Sequence, residues 1–96
     1  MNQSMSIETI EKEQISGLRF VSQEVLSDPI AIAERKNMLE RAMAAGNLYK
    51  NKMSITFETL EGTKKVDTTV WNVAEKYISL KGGANIPIHC IVSISV

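Results

Sequence analysis

The chain is poor in the side chains from which most catalytic and metal centres are built. Its 96 residues include one cysteine, Cys90, and one histidine, His89. A single cysteine excludes a disulfide within the chain and a zinc site made of several thiolates. A single cysteine also fits a reducing compartment, so we predict a cytoplasmic protein. We predict that it binds no metal and no cofactor.

Neither sign of charge predominates, because 11 basic and 11 acidic residues give a formal net charge of zero. A chain without net charge produces no long-range field that attracts nucleic acid or an anionic lipid surface. No apolar run approaches the roughly 20 residues that cross a bilayer, and the first residues lack the apolar block of a secretory signal. We therefore predict no contact with a membrane.

Motifs of the common enzyme classes are missing too. The glycines of KGGAN (residues 81–85) lack the spacing and the following helix that cradle a phosphate, and no glycine-x-serine-x-glycine motif occurs. The acidic residues near the ends of the predicted strands are typical of solvated positions. The sequence predicts a protein that is not an enzyme, and we infer no small-molecule substrate.

One helix, predicted over residues 28–46, has clear start and stop signals in the sequence. Ser27 or Asp28 can accept hydrogen bonds from the first turn, and Pro29 suits the first helical position. Gly46 predicts a left-handed stop. One stripe of the helix is apolar: Ile32, Met38, Leu39, Ala42, Met43 and Ala45. The charged residues are predicted to face solvent: Glu34, Arg35, Lys36, Glu40 and Arg41. We expect the stripe to pack on the core; a partner-binding surface is the alternative.

Residues 1–27 are predicted to form a separate N-terminal segment. A short helix is expected over IETIEKEQI (residues 7–15), and LRFVSQEVL (residues 18–26) is expected to dock as a strand or turn. Terminal segments of this kind are often mobile unless other contacts tie them down.

From residue 50 onward the apolar period changes from about 3.6 to 2, which indicates strands. MSITFET (residues 53–59) alternates cleanly, and a polar turn follows around Gly62. In VDTTVWNV (residues 66–73) the alternation slips by one residue, as at a β-bulge or a sharp bend, so that Trp71 and Val73 become the apolar pair.

The last part of the chain continues the alternation. YISL (residues 77–80) is expected to point its isoleucine and leucine inward, and Gly82-Gly83 permits the positive φ angles of a tight hairpin. The run IPIHCIVSISV (residues 86–96) predicts one long strand, or two joined by a bend. His89 and Cys90 are then on opposite faces of a strand. Cys90 is predicted to be an inert core thiol, while His89 bonds a backbone carbonyl, faces water or contacts a ligand.

Together these elements predict an α+β protein that is mainly β. We expect an N-terminal helix followed by a small SH3-like or Sm-like antiparallel barrel of four or five strands, all within residues 28–96. The last strand is apolar, with no charged residue after Lys81. An open apolar edge favours pairing with another copy of the chain, unless residues 1–27 cover it.

The order of these elements resembles the Sm-like superfamily, with a pattern like that of Hfq. The resemblance rests on the Asp28-Pro29 helix start, on SITF (residues 54–57), and on an acidic residue and aromatic before an apolar strand, here Glu75 and Tyr77. The Lys-His-Ala-Ile-Ser motif of that pattern falls on residues 88–92, with isoleucine in place of its lysine. TTVWNVAEKYISLKGG and IPIH are also similar to a group of short bacterial proteins. The resemblance implies a small barrel, assembly into a homo-oligomer and RNA binding.

Two functions follow as hypotheses. The first is a binding or interaction module whose partner is another protein or a second copy of the chain. The second is an Sm-like single-stranded RNA-binding protein that works as a homo-oligomer. In it, Trp71, Tyr77 and His89 would stack on bases, while Lys76 and Lys81 would contact phosphates. The competing role for Trp71 is to fill the core at the bend.

Overall fold

The strands that the sequence predicts lie beside one long helix. The computed structural model describes residues 7–49 and 52–95, with the backbone alone for residues 46–49. The described elements, in chain order, are β1 (Glu8–Thr9), a 3₁₀ helix (Lys12–Gly17), α1 (Pro29–Tyr49), β2 (Met53–Thr59), β3 (Gly62–Thr68), β4 (Val70–Val73), β5 (Tyr77–Leu80), β6 (Asn85–Pro87), a second 3₁₀ helix (Ile88–Cys90) and β7 (Ile91–Ser95).

The described strands form two sheets. The first has the order β1-β3-β2-β7 and the second the order β4-β5-β6. All neighbours are antiparallel except β1 and β3, which run parallel. The mainly β, α+β class is therefore confirmed.

Neither sheet is closed into the barrel that the sequence predicted. The chain leaves the first sheet at Thr69, between β3 and β4, and returns to it through the 3₁₀ helix Ile88–Cys90. The first break divides the strand predicted over residues 66–73 between the two sheets. The second break agrees with the predicted alternative of two short strands joined by a bend within residues 86–96. Residues 53–95 therefore form six strands, where four or five were expected. Helix α1 lies against β4 and β7, which are edge strands of different sheets.

Alternating side chains of the strands build the core. In β2 every second residue is buried from Met53 onward, and in β5 Ile78 and Leu80 are fully buried, as predicted. Helix α1 adds Leu39 and Ala42 to the same cluster. Removing such side chains from water at about 25 cal/mol per Å² is the main stabilising contribution of the fold.

Helix α1 starts as predicted and ends later. The Asp28 carboxylate accepts a hydrogen bond from the Ile30 backbone N–H at 3.0 Å, which satisfies one donor of the first turn. The predicted stop at Gly46 is wrong, because the helix continues to Tyr49. A glycine inside a helix costs only about 1 kcal/mol relative to alanine, so it does not by itself end one.

The N-terminal segment adopts a different structure from the helix predicted over residues 7–15. Its β1 pairs with β3, and the Ile10 N–H donates to the Lys65 carbonyl at 2.8 Å. Ile10 and Ile15, the latter from the first 3₁₀ helix, are both buried. Pairing with the edge of β3 satisfies backbone groups that an isolated short helix leaves to water. This segment therefore covers β3 with a strand, while no described strand lies on the outer side of β7.

Candidate partner-binding groove

Three of the five residues predicted to bind RNA lie together. Lys76, Tyr77 and His89 line one groove with a volume of about 490 Å³, which we call the Tyr77 groove. Lys81 lies at the other end of β5 and lines a different cleft, and Trp71 lies on β4 and lines neither. The predicted site is thus divided between two parts of the surface.

The Tyr77 groove lies between the first half of α1, the turn that joins β4 to β5, and the start of the second 3₁₀ helix. Six of its lining residues are largely apolar: Ile32, Ala33, Ala74, Tyr77, Pro87 and Ile88. Charged residues of both signs complete the lining: Glu24, Glu75, Arg35, Lys36 and Lys76. Tyr77 is 48% exposed, so much of its ring is open to a ligand.

A hairpin register places Tyr77 in this groove. Tyr77 of β5 is opposite Pro87 of β6, and the Ile88 N–H donates to the Lys76 carbonyl at 2.9 Å. The hairpin closes at Gly82 and Gly83, whose φ angles are +96° and +98°, as the sequence predicted. The aromatic ring and the proline are therefore fixed side by side on one surface of a sheet.

Arg35 is buried beside the groove, which corrects the prediction that it faces solvent. Its side chain is 5% exposed, and its guanidinium donates to both carboxylate oxygens of Glu24, at 2.6 and 2.7 Å. Nη1 also donates to the Ile91 carbonyl at 3.0 Å. These bonds join helix α1, the N-terminal segment and β7 at one point.

The position of Arg35 was detectable from its spacing. Arg35 is three residues after Ile32, four before Leu39 and seven before Ala42, so it shares their stripe of the helix. A charged residue on an apolar stripe needs a partner of opposite charge, because burying an unpaired charge is costly. The sequence contained this signal, but did not indicate that Glu24 was the partner.

The contact with Arg35 changes the ionisation of Glu24. Hydrogen bonds from the Arg35 side chain lower the pKa of the Glu24 carboxyl to about 2, against an opposing effect of burial. The Leu26 N–H adds a bond to the same carboxylate at 3.0 Å. Glu24 is consequently a carboxylate at neutral pH, and it is already held by a cation of its own chain.

His89 and Cys90 bond the same atom, which corrects the prediction that they point apart. His89 Nε2 lies 2.7 Å from the Val21 carbonyl oxygen, and the Cys90 thiol donates to that oxygen at 3.2 Å. The 3₁₀ helix explains the correction, because its side chains do not alternate between two faces as in a strand. Since a carbonyl only accepts, Nε2 carries the proton.

Cys90 is nevertheless the core thiol that the sequence predicted. Its side chain is fully buried, and burial raises the pKa of the Cys90 thiol, with a smaller effect from the Glu24 carboxylate. A thiol with a raised pKa and no exposed surface is a poor nucleophile. The His89 bond to a carbonyl is one of the outcomes expected for that residue.

Trp71 does not fill the core. It is 52% exposed, so the prediction that Trp71 and Val73 form an inward apolar pair is wrong for Trp71. The register between β4 and β5 shifts between Val70 and Asn72, as the slip in the sequence predicted. At a bulge two residues oppose one, which explains why Trp71 and Asn72 are both exposed.

Lys81 belongs to a polar cleft of about 320 Å³ near the N-terminal segment. The charged residues that line this cleft are Lys12, Lys52 and Lys81 together with Glu11, Glu13 and Asp67. The two signs are equal in number, so the cleft has no excess of positive charge for a phosphate.

Comparison with known proteins gives no family assignment. The chain matches no protein-family model, no curated protein and no solved structure. Within residues 7–49 and 52–95, histidine, cysteine, aspartate and glutamate side chains form no group suited to a metal ion. None of the helices in those ranges has the length and hydropathy of a bilayer-spanning segment.

Proposed function

We propose that the protein is a non-enzymatic interaction module that holds a short segment of a partner polypeptide in the Tyr77 groove. The observation that carries this proposal is the composition of the groove. Tyr77, Pro87, Ile88 and Ile32 line the groove together with charged residues of both signs. Interfaces between proteins combine an apolar centre with a polar rim in this way.

Exposed aromatic side chains in such a centre contribute a large share of binding energy. Tyr77 offers apolar area with few rotatable bonds, so it loses little conformational entropy when a ligand covers it. Its position is fixed by the pairing with Pro87. A preformed surface of this kind lowers the cost of binding.

Random peptides test the proposal, because they sample many short segments of different chemistry. A display library of random peptides is selected against the purified protein, and binding of selected peptides is measured by isothermal titration. Replacing Tyr77 with serine is expected to weaken binding at least about tenfold, equal to about 1.4 kcal/mol. The matched control is Trp71→Ser, which removes an aromatic residue of similar exposure outside the groove. Failure to select any peptide, or equal sensitivity to the two substitutions, would overturn the proposal.

Single-stranded RNA binding is the second candidate. The second sheet exposes both Trp71 and Tyr77, and Lys76 and Lys81 lie directly before and after β5. In proteins that bind single strands, exposed aromatic residues stack on bases and lysines contact phosphates. Titration of Trp71 fluorescence with short RNA at low and moderate salt tests it. Binding that weakens steeply with salt supports the RNA function, whereas absent or salt-insensitive binding rejects it.

We also propose that the two sheets are halves of one small SH3-like or Sm-like barrel. In support, β7 pairs with β2, only Thr69 separates β3 from β4, and both sheets contribute to one core. Hydrogen exchange is expected to show that the amides of both sheets open in one cooperative unit. Two units with separate opening free energies would contradict the barrel.

A second copy of the chain is a further candidate partner, through the outer side of β7. An edge strand presents unpaired backbone groups that can extend a sheet. Here Arg35 already bonds the Ile91 carbonyl at the start of that strand, so pairing would involve the later residues of β7. Light scattering that shows only monomer at high concentration would exclude this assembly.

A further inference from the structure

We infer that the Tyr77 groove selects acidic segments, in which a carboxylate lies next to apolar side chains. This inference rests on the proposed function and names the chemical class of the partner. Its basis is the distribution of paired and unpaired charges around the groove.

Some charges of the groove are paired within the chain and others are free. Glu24 is held by the Arg35 guanidinium through two short hydrogen bonds, so its negative charge is neutralised within the chain. The remaining charged residues are Lys36, Lys76 and Glu75, and none of them forms an ion pair among the described residues. Positive charge is therefore in excess at the rim, by one unit, which suits a carboxylate better than the repeated charges of a nucleic acid.

Arg35 also favours negative charge in the groove. Its Nε–H is buried and has no acceptor within the described residues, although the rest of its guanidinium is bonded. A buried donor without an acceptor makes its surroundings favourable for negative charge. Arg35, Lys36 and Lys76 all belong to the groove lining, so a carboxylate in the groove would have cationic side chains among its neighbours.

The chain already holds a segment of this chemistry beside the groove. In Glu24-Val25-Leu26 the carboxylate bonds Arg35, and the Val25 N–H donates to the His89 carbonyl at 3.0 Å. Val25 and Leu26 are half-buried. In this internal segment an acidic residue followed by apolar ones is held by a carboxylate contact and a main-chain hydrogen bond.

The experiment uses the whole protein and the selected peptides described above. Selected sequences are expected to be enriched in Asp and Glu beside apolar residues. Replacing the acidic residue of such a peptide with its amide is expected to weaken binding about three- to tenfold. Affinity should also fall as salt screens the exposed lysines.

Two matched variants locate the effect. Lys76→Glu is expected to weaken binding of an acidic peptide by about tenfold, whereas Lys81→Glu, the same change at the other end of β5, should leave it within about twofold. Both lysines are exposed, and circular dichroism is used to confirm that both variants are folded. Equal effects of the two variants would overturn the inference.

The outcomes separate this inference from the proposed function. Selection of neutral or basic peptides that still depend on Tyr77 would overturn the acidic preference and leave the interaction module intact. Failure to select any peptide would overturn both. Binding of acidic peptides that is insensitive to Lys76 and to salt would also contradict the inference.

Discussion

Replacing Glu24 with glutamine tests the contact that joins the N-terminal segment to helix α1. The substitution keeps the shape of the side chain and one carbonyl acceptor, but it removes the charge that Arg35 faces. Arg35 is 5% exposed and stays buried, so its guanidinium then has only a neutral partner and the Ile91 carbonyl. Removing one partner of a buried ion pair destabilises a protein more than replacing both partners with apolar residues.

The expected loss follows from the bonds that change. A hydrogen bond to a charged group contributes about 1.5–3 kcal/mol to stability, and Glu24 accepts two from Arg35. The amide retains one of them in a weaker form. The Glu24 side chain is also 34% exposed, so water screens part of the interaction. We therefore expect a loss of about 1–2 kcal/mol, or a Tm lower by roughly 4–16 °C for a domain of this size.

Thermal unfolding followed by circular dichroism measures this loss. The matched control is Glu61→Gln, which breaks the ion pair with Arg19 at 2.8 Å on the protein surface. Arg19 is 75% exposed, and a pair of this kind is expected to contribute nothing measurable. A Tm of Glu24→Gln equal to that of the wild type, or an equal fall in the Tm of Glu61→Gln, would refute this expectation.

Three other predictions concern pH, the buried thiol and the hairpin. The pKa of Glu24 is lowered to about 2, so the stability that its contact with Arg35 contributes is complete above pH 4.5 and is lost as the pH falls toward 2. The Tm values of wild type and Glu24→Gln should therefore differ at pH 6 and converge near pH 2. Cys90 is fully buried, so its reaction with a thiol reagent should follow the unfolding equilibrium, and fast reaction of the native protein would contradict its burial. Gly83 has φ of +98° with open space around it, so Gly83→Ala should cost about 1–2 kcal/mol of unfolding free energy from backbone strain alone. The control Gly17→Ala should leave the unfolding free energy unchanged, because Gly17 has no positive φ and no close neighbour. An equal loss of unfolding free energy in both variants would contradict backbone strain at Gly83.

Local patterns of the sequence were sufficient for most of the secondary structure. The alternation of β2 and β5, the start of α1 at Pro29 and the hairpin at Gly82-Gly83 depend on nearest neighbours and were predicted correctly. The slip before Val73 was also detectable. Its consequence was not, because the direction of Trp71 depends on which partner residue the bulge opposes.

The errors arose where distant parts of the chain meet. The parallel pairing of β1 with β3 and the bond between Arg35 and Glu24 join residues whose contacts no local period reveals. The 3₁₀ helix at residues 88–90 interrupts an alternation that was perfect in the sequence, and so brings His89 and Cys90 to one carbonyl. Three residues of the groove were predicted as RNA contacts, but Arg35 and Glu24, which also line it, were not.

The most direct test of the central claim is the mapping of a selected peptide on the protein by ¹H–¹⁵N chemical-shift perturbation. Binding in the Tyr77 groove predicts that the largest shifts fall on the first half of α1, on residues 74–77 and on residues 87–89, which surround the groove. Shifts that concentrate on β7, on the cleft around Lys81 or uniformly over the chain would contradict the claim that this groove is the binding site.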